Sequence, residues 1–136
     1  MTSVDSTAAA SPTSLFARAR HHGSPGAEPV SVVRAIAAIA ARAAADCYGV
    51  VGLAPRYAGL GPVEPLTPER AARGVEARVL DGGLVVDVWV ILESGVRVIE
   101  VAHNIMVGVA YAVEEALGAR VARVNVNIQA LRAGPL

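Results

Sequence analysis

The chain has no lysine, one cysteine, one tryptophan and one phenylalanine in 136 residues, and its 12 basic and 12 acidic side chains cancel. Each scarcity excludes something. Cys47 alone cannot form an intramolecular disulfide, and no His or Cys stands at metal-ligand spacing around it. Inside an apolar helical pattern it reads as a small buried thiol. Zero net charge and a pI near 6.8 argue against the one-signed field that steers proteins to nucleic acid or anionic lipid. Hydrophobic residues make up 54% of the chain, yet charges, glycines and prolines break every apolar run. None approaches the roughly 18 residues of a membrane span. The first residues lack the charged start and apolar stretch of a secretory signal, so a reducing cytoplasm is the expected compartment. That all basic residues are arginine fits a coding bias and carries no functional weight.

Catalytic signatures are also missing. The sequence contains no nucleophile elbow, P-loop, dinucleotide fingerprint, HExxH or CxxC. His103, the one histidine after position 22, falls on the flank of a helix with no carboxylate or nucleophile expected beside it. Glu114 and Glu115 are about 100° apart around a helix axis, so they do not converge as an acid/base pair and read as solvation charges. Asp81-Gly82-Gly83 joins two strands and opens no helix, which makes it a turn and no phosphate cradle. We therefore expect no catalytic, cofactor-binding or metal-binding residue, and no cofactor.

What is present organises into one unit. Residues 1–27, rich in Ser, Thr, Ala, Pro and Gly, are expected to be a disordered tail. Within it the segment from Leu15 to His22 has the makings of a short basic amphipathic turn. Residues 28–132 are expected to form a single α+β domain, and 133–136 a short C-terminal tail. A helix runs from an N-cap at Ser31 to about Tyr48, with Val32, Ile36, Ile39, Ala40, Ala43 and Cys47 on its apolar stripe. A short strand at 50–53 leads into a Pro- and Gly-rich loop over 54–67, then one helical turn at 68–73. Two strand-like runs, 75–80 and 84–93, flank Asp81-Gly82-Gly83 as an antiparallel hairpin. A long amphipathic helix follows Gly95 and ends at Gly118, and residues 120–131 alternate as a last strand. The order α-β-β-β-α-β predicts a two-layer sandwich: a small mixed β-sheet with two main helices on one face, the last strand reached by a right-handed parallel crossover.

The sheet face turned away from the helices is the candidate interaction face. If Val86, Val88, Val90 and Leu92 point to the core, the opposite side carries Arg78, Val85, Asp87, Trp89, Ile91, Arg123, Asn125, Asn127 and Gln129, with Glu76 and Glu93 beside them. Trp89 beside Val85 and Ile91 makes an apolar patch that a partner, a second copy or the 54–67 loop must cover. One aromatic, two arginines and several amides also suit an RNA-binding platform, although Glu76, Asp87 and Glu93 repel phosphate. On the outer side of the second helix, Asn104, Val107 and Tyr111 form a second candidate contact.

Three segments together resemble the alkaline shock protein family (Asp/Gls-type) of bacterial envelope stress-response proteins. They are Cys47-Tyr-Gly-Val-Val-Gly-Leu53, the run from Gly83 through Asp87, Trp89, Glu93, Arg97 and Glu100 to Asn104, and the end from Val121 to Gln129. The likeness spans residues 30–131. It implies a small non-enzymatic cytoplasmic protein that self-associates as an oligomer or filament, a scaffold or adaptor held at the inner face of the membrane by a membrane-integrated protein partner. Similar proteins often have Gln where Met106 stands and His where Asn127 stands, so the partner's identity does not transfer. The alternative is an RNA-binding module on the open sheet face.

Overall fold

An eleven-residue strand, β4 (Gly83–Glu93), is buried along its whole length except at Trp89 and Glu93. The computed structural model describes residues 2–7, 27–57 and 61–133, with side chains from Val32 onward. The hairpin forms as the turn chemistry demands. Strand β3 (Val75–Leu80) pairs antiparallel with β4 from Val75↔Val88 to Leu80↔Gly83. The two residues between them, Asp81 (φ 51) and Gly82 (φ 78), both have positive φ, the mark of a tight hairpin turn that matches strand twist. Strand β2 (Val50–Leu53) takes the rest of the same edge, pairing antiparallel with Leu92, Ile91 and Val90.

The other edge of β4 is filled by a parallel strand, β5 (Val121–Arg132), in register from Leu84↔Val121 to Glu93↔Arg132 with two shifts. A parallel neighbour requires a crossover, and helix α2 (Val98–Leu117) supplies it. Gly118 ends that helix in the left-handed conformation (φ 66), its N–H donating to the Glu114 carbonyl at 2.8 Å. Helix α1 (Ala27–Ala45) lies on the same side. Ile36, Ala40 and Ala44 of α1 share one cluster with Val101, Ile105, Val109 and Val113 of α2 and with Val86, Val88, Val90 and Leu92 of β4. The expected two-layer α+β sandwich, with two main helices on one face of a mixed sheet, is the fold that forms.

Three details differ from the sequence reading. Helix α1 begins at Ala27 and ends at Ala45, ahead of the limits set by Ser31 and Tyr48, because Pro29 is tolerated in a first turn and Gly49 (φ 86) reverses the chain. Its buried stripe is turned toward Ala37, Ala41 and Ala44, while Val32, Ile39, Ala43 and Cys47 are only partly buried. Small side chains allow that face close to the sheet. Lastly, Thr2–Thr7, inside the expected disordered tail, form strand β1, which pairs antiparallel with β5 from Thr2↔Ile128 to Thr7↔Arg123. Backbone pairing makes this strand without an apolar alternation in its own sequence. The segment from Leu15 to His22 and residues 134–136 lie outside the described residues.

The short helix expected at 68–73 is a 3-10 helix, Pro68–Gly74. Its last residue sits against the exit of β2: a Cβ at Gly74 would lie 2.8 Å from the Ala54 carbonyl oxygen and 3.0 Å from Leu53 Cβ. Both obstacles are close to the backbone and cannot swing aside. Gly74→Ala should cost about 1–3 kcal/mol, the usual penalty for overpacking. Thermal unfolding measures it, and an unchanged Tm would mean that the two segments are not in this close contact.

Candidate functional site

The open sheet face is brought together as a face, but much of it lies beneath the chain itself. Val85 and Ile91 are buried, as are Asp87, Asn125 and Asn127. Trp89 and Gln129 are half-buried, and Arg78 and Arg123 are exposed. Part of the cover is the segment that leaves β2. The Arg56 guanidinium carbon stands 5.9 Å from the centroid of the Trp89 ring, and the same side chain pairs with Glu76 at 3.1 Å. The Gln129 amide donates to the carbonyls of Pro55 (3.2 Å) and Arg56 (3.4 Å). Further along, Glu64 pairs with Arg132 at 3.3 Å, and Pro65 comes so near Gly52 that a Cβ there would be 2.9 Å from it. Gly52 is the ladder neighbour of Ile91. The loop that follows β2 therefore covers part of the tryptophan patch.

Beneath this cover runs a polar relay across three strands. Arg78 of β3 directs Nε (2.9 Å) and Nη2 (2.8 Å) onto Asp87 Oδ2, while the Asn125 amide of β5 donates to Oδ1 at 2.6 Å. Strand register explains it. Arg78 stands opposite Val85, two residues along β4 from Asp87, while Asp87 stands directly beside Asn125. A buried carboxylate is tolerated only when paired and hydrogen-bonded, and Asp87 is both. Asn127 continues the row, its amide donating to the Val88 carbonyl at 3.5 Å. The alternation read from the sequence places these residues on one face; it contains no sign that they bond to one another.

The second candidate contact is more open. With Val101, Ala102, Ile105, Met106, Val109 and Val113 turned inward, the far side of α2 carries Val107 at 54% exposure and Tyr111 at 66%. Asn104 is exposed and lines a shallow depression with Tyr48 and Glu100. Tyr48 itself is 81% exposed, and Ile99, on the flank of the same helix, is 69% exposed. These exposed side chains were partly missed in the sequence, because Tyr48 and Ile99 sit at positions that periodicity assigns to a helix end and a helix start. Glu114 is also more than a solvation charge: its carboxylate accepts the Val121 N–H at 2.9 Å and ties the end of α2 to the first residue of β5.

Among the described residues no group of three or more His, Cys, Asp or Glu side chains is placed to hold a metal ion, and His103 is exposed. No helix among them is long and apolar enough to cross a membrane. Burial pushes the Cys47 thiol above its ordinary pKa, and the neighbouring Asp46 charge adds to the effect. Its sulfur lies 3.4 Å from the Ala43 carbonyl.

These features define a small α+β domain. Residues 30–133 match the model of the alkaline shock protein 23 family, described as having a cell envelope-related function. The uncharacterized protein YloU of Bacillus subtilis is 38% identical over 98 residues, covering 71% of this chain and 82% of that protein. The uncharacterized protein Spy1614 of Streptococcus pyogenes is 34% identical over 98 residues, covering 71% and 81%. No solved structure matches significantly. The chain belongs to the alkaline shock protein 23 family, whose function is cell envelope-related.

Two outcomes follow from this geometry. Arg78→Met leaves a buried carboxylate without its cation and should cost about 2–3 kcal/mol, the scale of charge-assisted hydrogen bonds. Asp87→Asn keeps an acceptor for a half-exposed Arg78 and should cost less, so denaturant midpoints in the reverse order would contradict the relay. Cys47, with its raised pKa, carries less thiolate at a given pH than a free cysteine and should alkylate more slowly with iodoacetamide at pH 8. A rate equal to that of a model thiol would show that the site is open.

Proposed function

We propose that this protein is a non-enzymatic, self-associating scaffold or adaptor for cell-envelope stress response or homeostasis, acting at the inner face of the membrane through a protein partner. The observation that carries the reading is the exposed row on α2, where Val107 and Tyr111 project from a helix whose opposite side already fills the core. Neighbouring aliphatic and aromatic side chains left in water on one helix face mark a contact site more often than scattered single residues do. A second copy presenting the same row would bury both in an isologous contact. The cell envelope-related family supports the cellular setting. With no helix among the described residues able to cross a bilayer, the reading assigns membrane attachment to a partner.

The sheet face has a smaller part in this reading. Arg56 lies over the Trp89 ring, which weighs against using that ring either as the centre of a protein interface or as a stacking platform for RNA bases. Arg78, drawn onto Asp87, is likewise engaged.

Light scattering of the full chain over a hundredfold concentration range tests the proposal. The mass should rise with concentration, and Val107→Asp with Tyr111→Asp should hold it at the monomer. Both sites are exposed, so stability should stay within about 0.5 kcal/mol of the parent per site. A parent chain that stays monomeric throughout, or an assembly indifferent to both substitutions, would remove α2 as the contact.

A further inference from the structure

The outer edge of β5 has the features of an associating edge. From Val124 to Ala130 it reads Val-Asn-Val-Asn-Ile-Gln-Ala, without a charge, proline or glycine. Edge strands of monomeric proteins normally carry such residues to prevent pairing with another chain. Here the protection comes from elsewhere: β1 pairs along this edge from Ile128 to Arg123. Yet β1 stands outside the family domain, which matches only from residue 30. Within the molecule it is held by one ladder of backbone bonds to β5 and by its approach to α2. Its sequence, Thr-Ser-Val-Asp-Ser-Thr, has a single apolar residue.

A second observation concerns what this cover leaves undone. Asn125 is 8% exposed, its amide nitrogen is bonded to Asp87, and its Oδ1 is buried with no hydrogen-bond partner among the described residues. Buried polar atoms are nearly always satisfied, and an exception calls for a reason. Along this edge β1 sets Asp5 opposite Asn125. A second β5 would present a different neighbour. In an antiparallel pairing centred on Val126, Val124 stands opposite Ile128 and Asn125 opposite Asn127 of the other copy. Directly opposed residues bring their Cβ atoms to about 4.5–5.5 Å, within reach of an amide-to-amide hydrogen bond. A two-fold axis perpendicular to the sheet keeps the amides on one side and the valines and isoleucines on the helix side.

We propose that the outer edge of β5 is an interface for a second copy of this chain, paired antiparallel about Val126, and that β1 is a competing cap that occupies it within one molecule. The proposal concerns a different surface from α2 and rests on the self-association reading only in naming the same partner. Release of β1 exposes the edge; β5–β5 pairing then joins two sheets into one and gives Asn125 Oδ1 its donor.

The test uses the full chain carrying Val4→Pro and Asp5→Pro. Two adjacent prolines remove the N–H that faces β5, whichever of the two it is. The comparison is made with and without Val107→Asp and Tyr111→Asp, which silence α2. In the α2-silenced background the proline variant should double in mass as concentration rises a hundredfold, while the chain with intact β1 stays monomeric. Amides of 123–128 should be protected from hydrogen exchange in the dimer. A lock supplies the converse: Thr7→Cys with Arg123→Cys, in a Cys47→Ser background, joins a registered pair at the end of β1. In the α2-silenced background, at a mild urea concentration that frees β1 and leaves the domain folded, the reduced chain should pair and the oxidised chain stay monomeric, and this arm does not depend on the folding of the proline variant. Equal masses with β1 free, intact or locked would overturn the proposal. If those equal masses still fall on silencing α2, the contact proposed on that helix stands without this one; monomers throughout would remove both.

Discussion

Everything in this domain depends on β4 being covered on four sides. An eleven-residue strand with Val, Leu and Ile on both faces has no stable place at a surface, so each of its two edges and two faces must find a cover. One edge takes β3 and β2 in turn, the other takes β5, and one face takes both helices. The fourth side is the demanding one. A sheet with one helical layer usually leaves its other face to water, but here Val85 and Ile91 occupy it and are buried. The chain solves this locally, with the loop after β2 crossing back over Trp89 and Gly52. Gly52 and Gly74 then follow from close packing, since a methyl group at either would meet Pro65 or the Ala54 carbonyl.

The same constraint explains the buried charge. Asp87 alternates with Val85 and Trp89 on the covered face, where an unpaired carboxylate would be costly. Neighbouring strands answer with Arg78 on one side and Asn125 on the other, so the three strands are cross-linked by side chains as well as by the ladder. Such a relay favours one register over its neighbours. A slip of one residue along β5 would carry Asn125 to the helix side, away from Asp87, and place a valine against the carboxylate. The net stabilisation from the buried charge is small by comparison, because most of the Coulomb attraction offsets desolvation.

How much of this the amino-acid sequence discloses follows from where the information resides. Periodicity within a segment was legible: the period-2 run of β4, the 3.6-residue stripe of α2 ending at Gly118, and the Asp81-Gly82 turn form as read. Pairings between segments were less so. The separation of Arg78 from Asp87 in the chain does not announce an ion pair until β3 and β4 are set in register, and Asn125 lies still further along. Strand β1 has no signal of its own, because Thr-Ser-Val-Asp-Ser-Thr is a polar, tail-like composition that becomes a strand only through what β5 presents to it. Trp89 was legible as a residue needing cover, and the 54–67 loop as one of three candidate covers; the particular contacts of Arg56 and Glu64 were not, since they stand in a loop without period. Tyr111 and Val107 were visible as apolar residues on a polar helix side, a mismatch within one segment.

The two surfaces differ in the work an assembly must do to use them. To dock a partner on the Trp89 face, the loop would have to lift, giving up the Arg56–Glu76 pair, the contact with the ring and the Gln129 hydrogen bonds before any new contact formed. The α2 row gives up only water. An isologous contact through α2 by itself closes into a dimer, because a two-fold axis uses each copy's patch once. Growth beyond two requires a second surface whose axis does not coincide with the first. The β5 edge lies in the sheet layer and the α2 row on the outside of the helix layer, so contacts through both would be related by separate axes and would extend beyond the pair, into a closed tetramer where the axes cross at right angles and into a chain where they do not meet. On the two proposals, a capped β5 edge would stop assembly at the pair; the state of β1 would then set the length of the assembly, and the α2 row whether it begins.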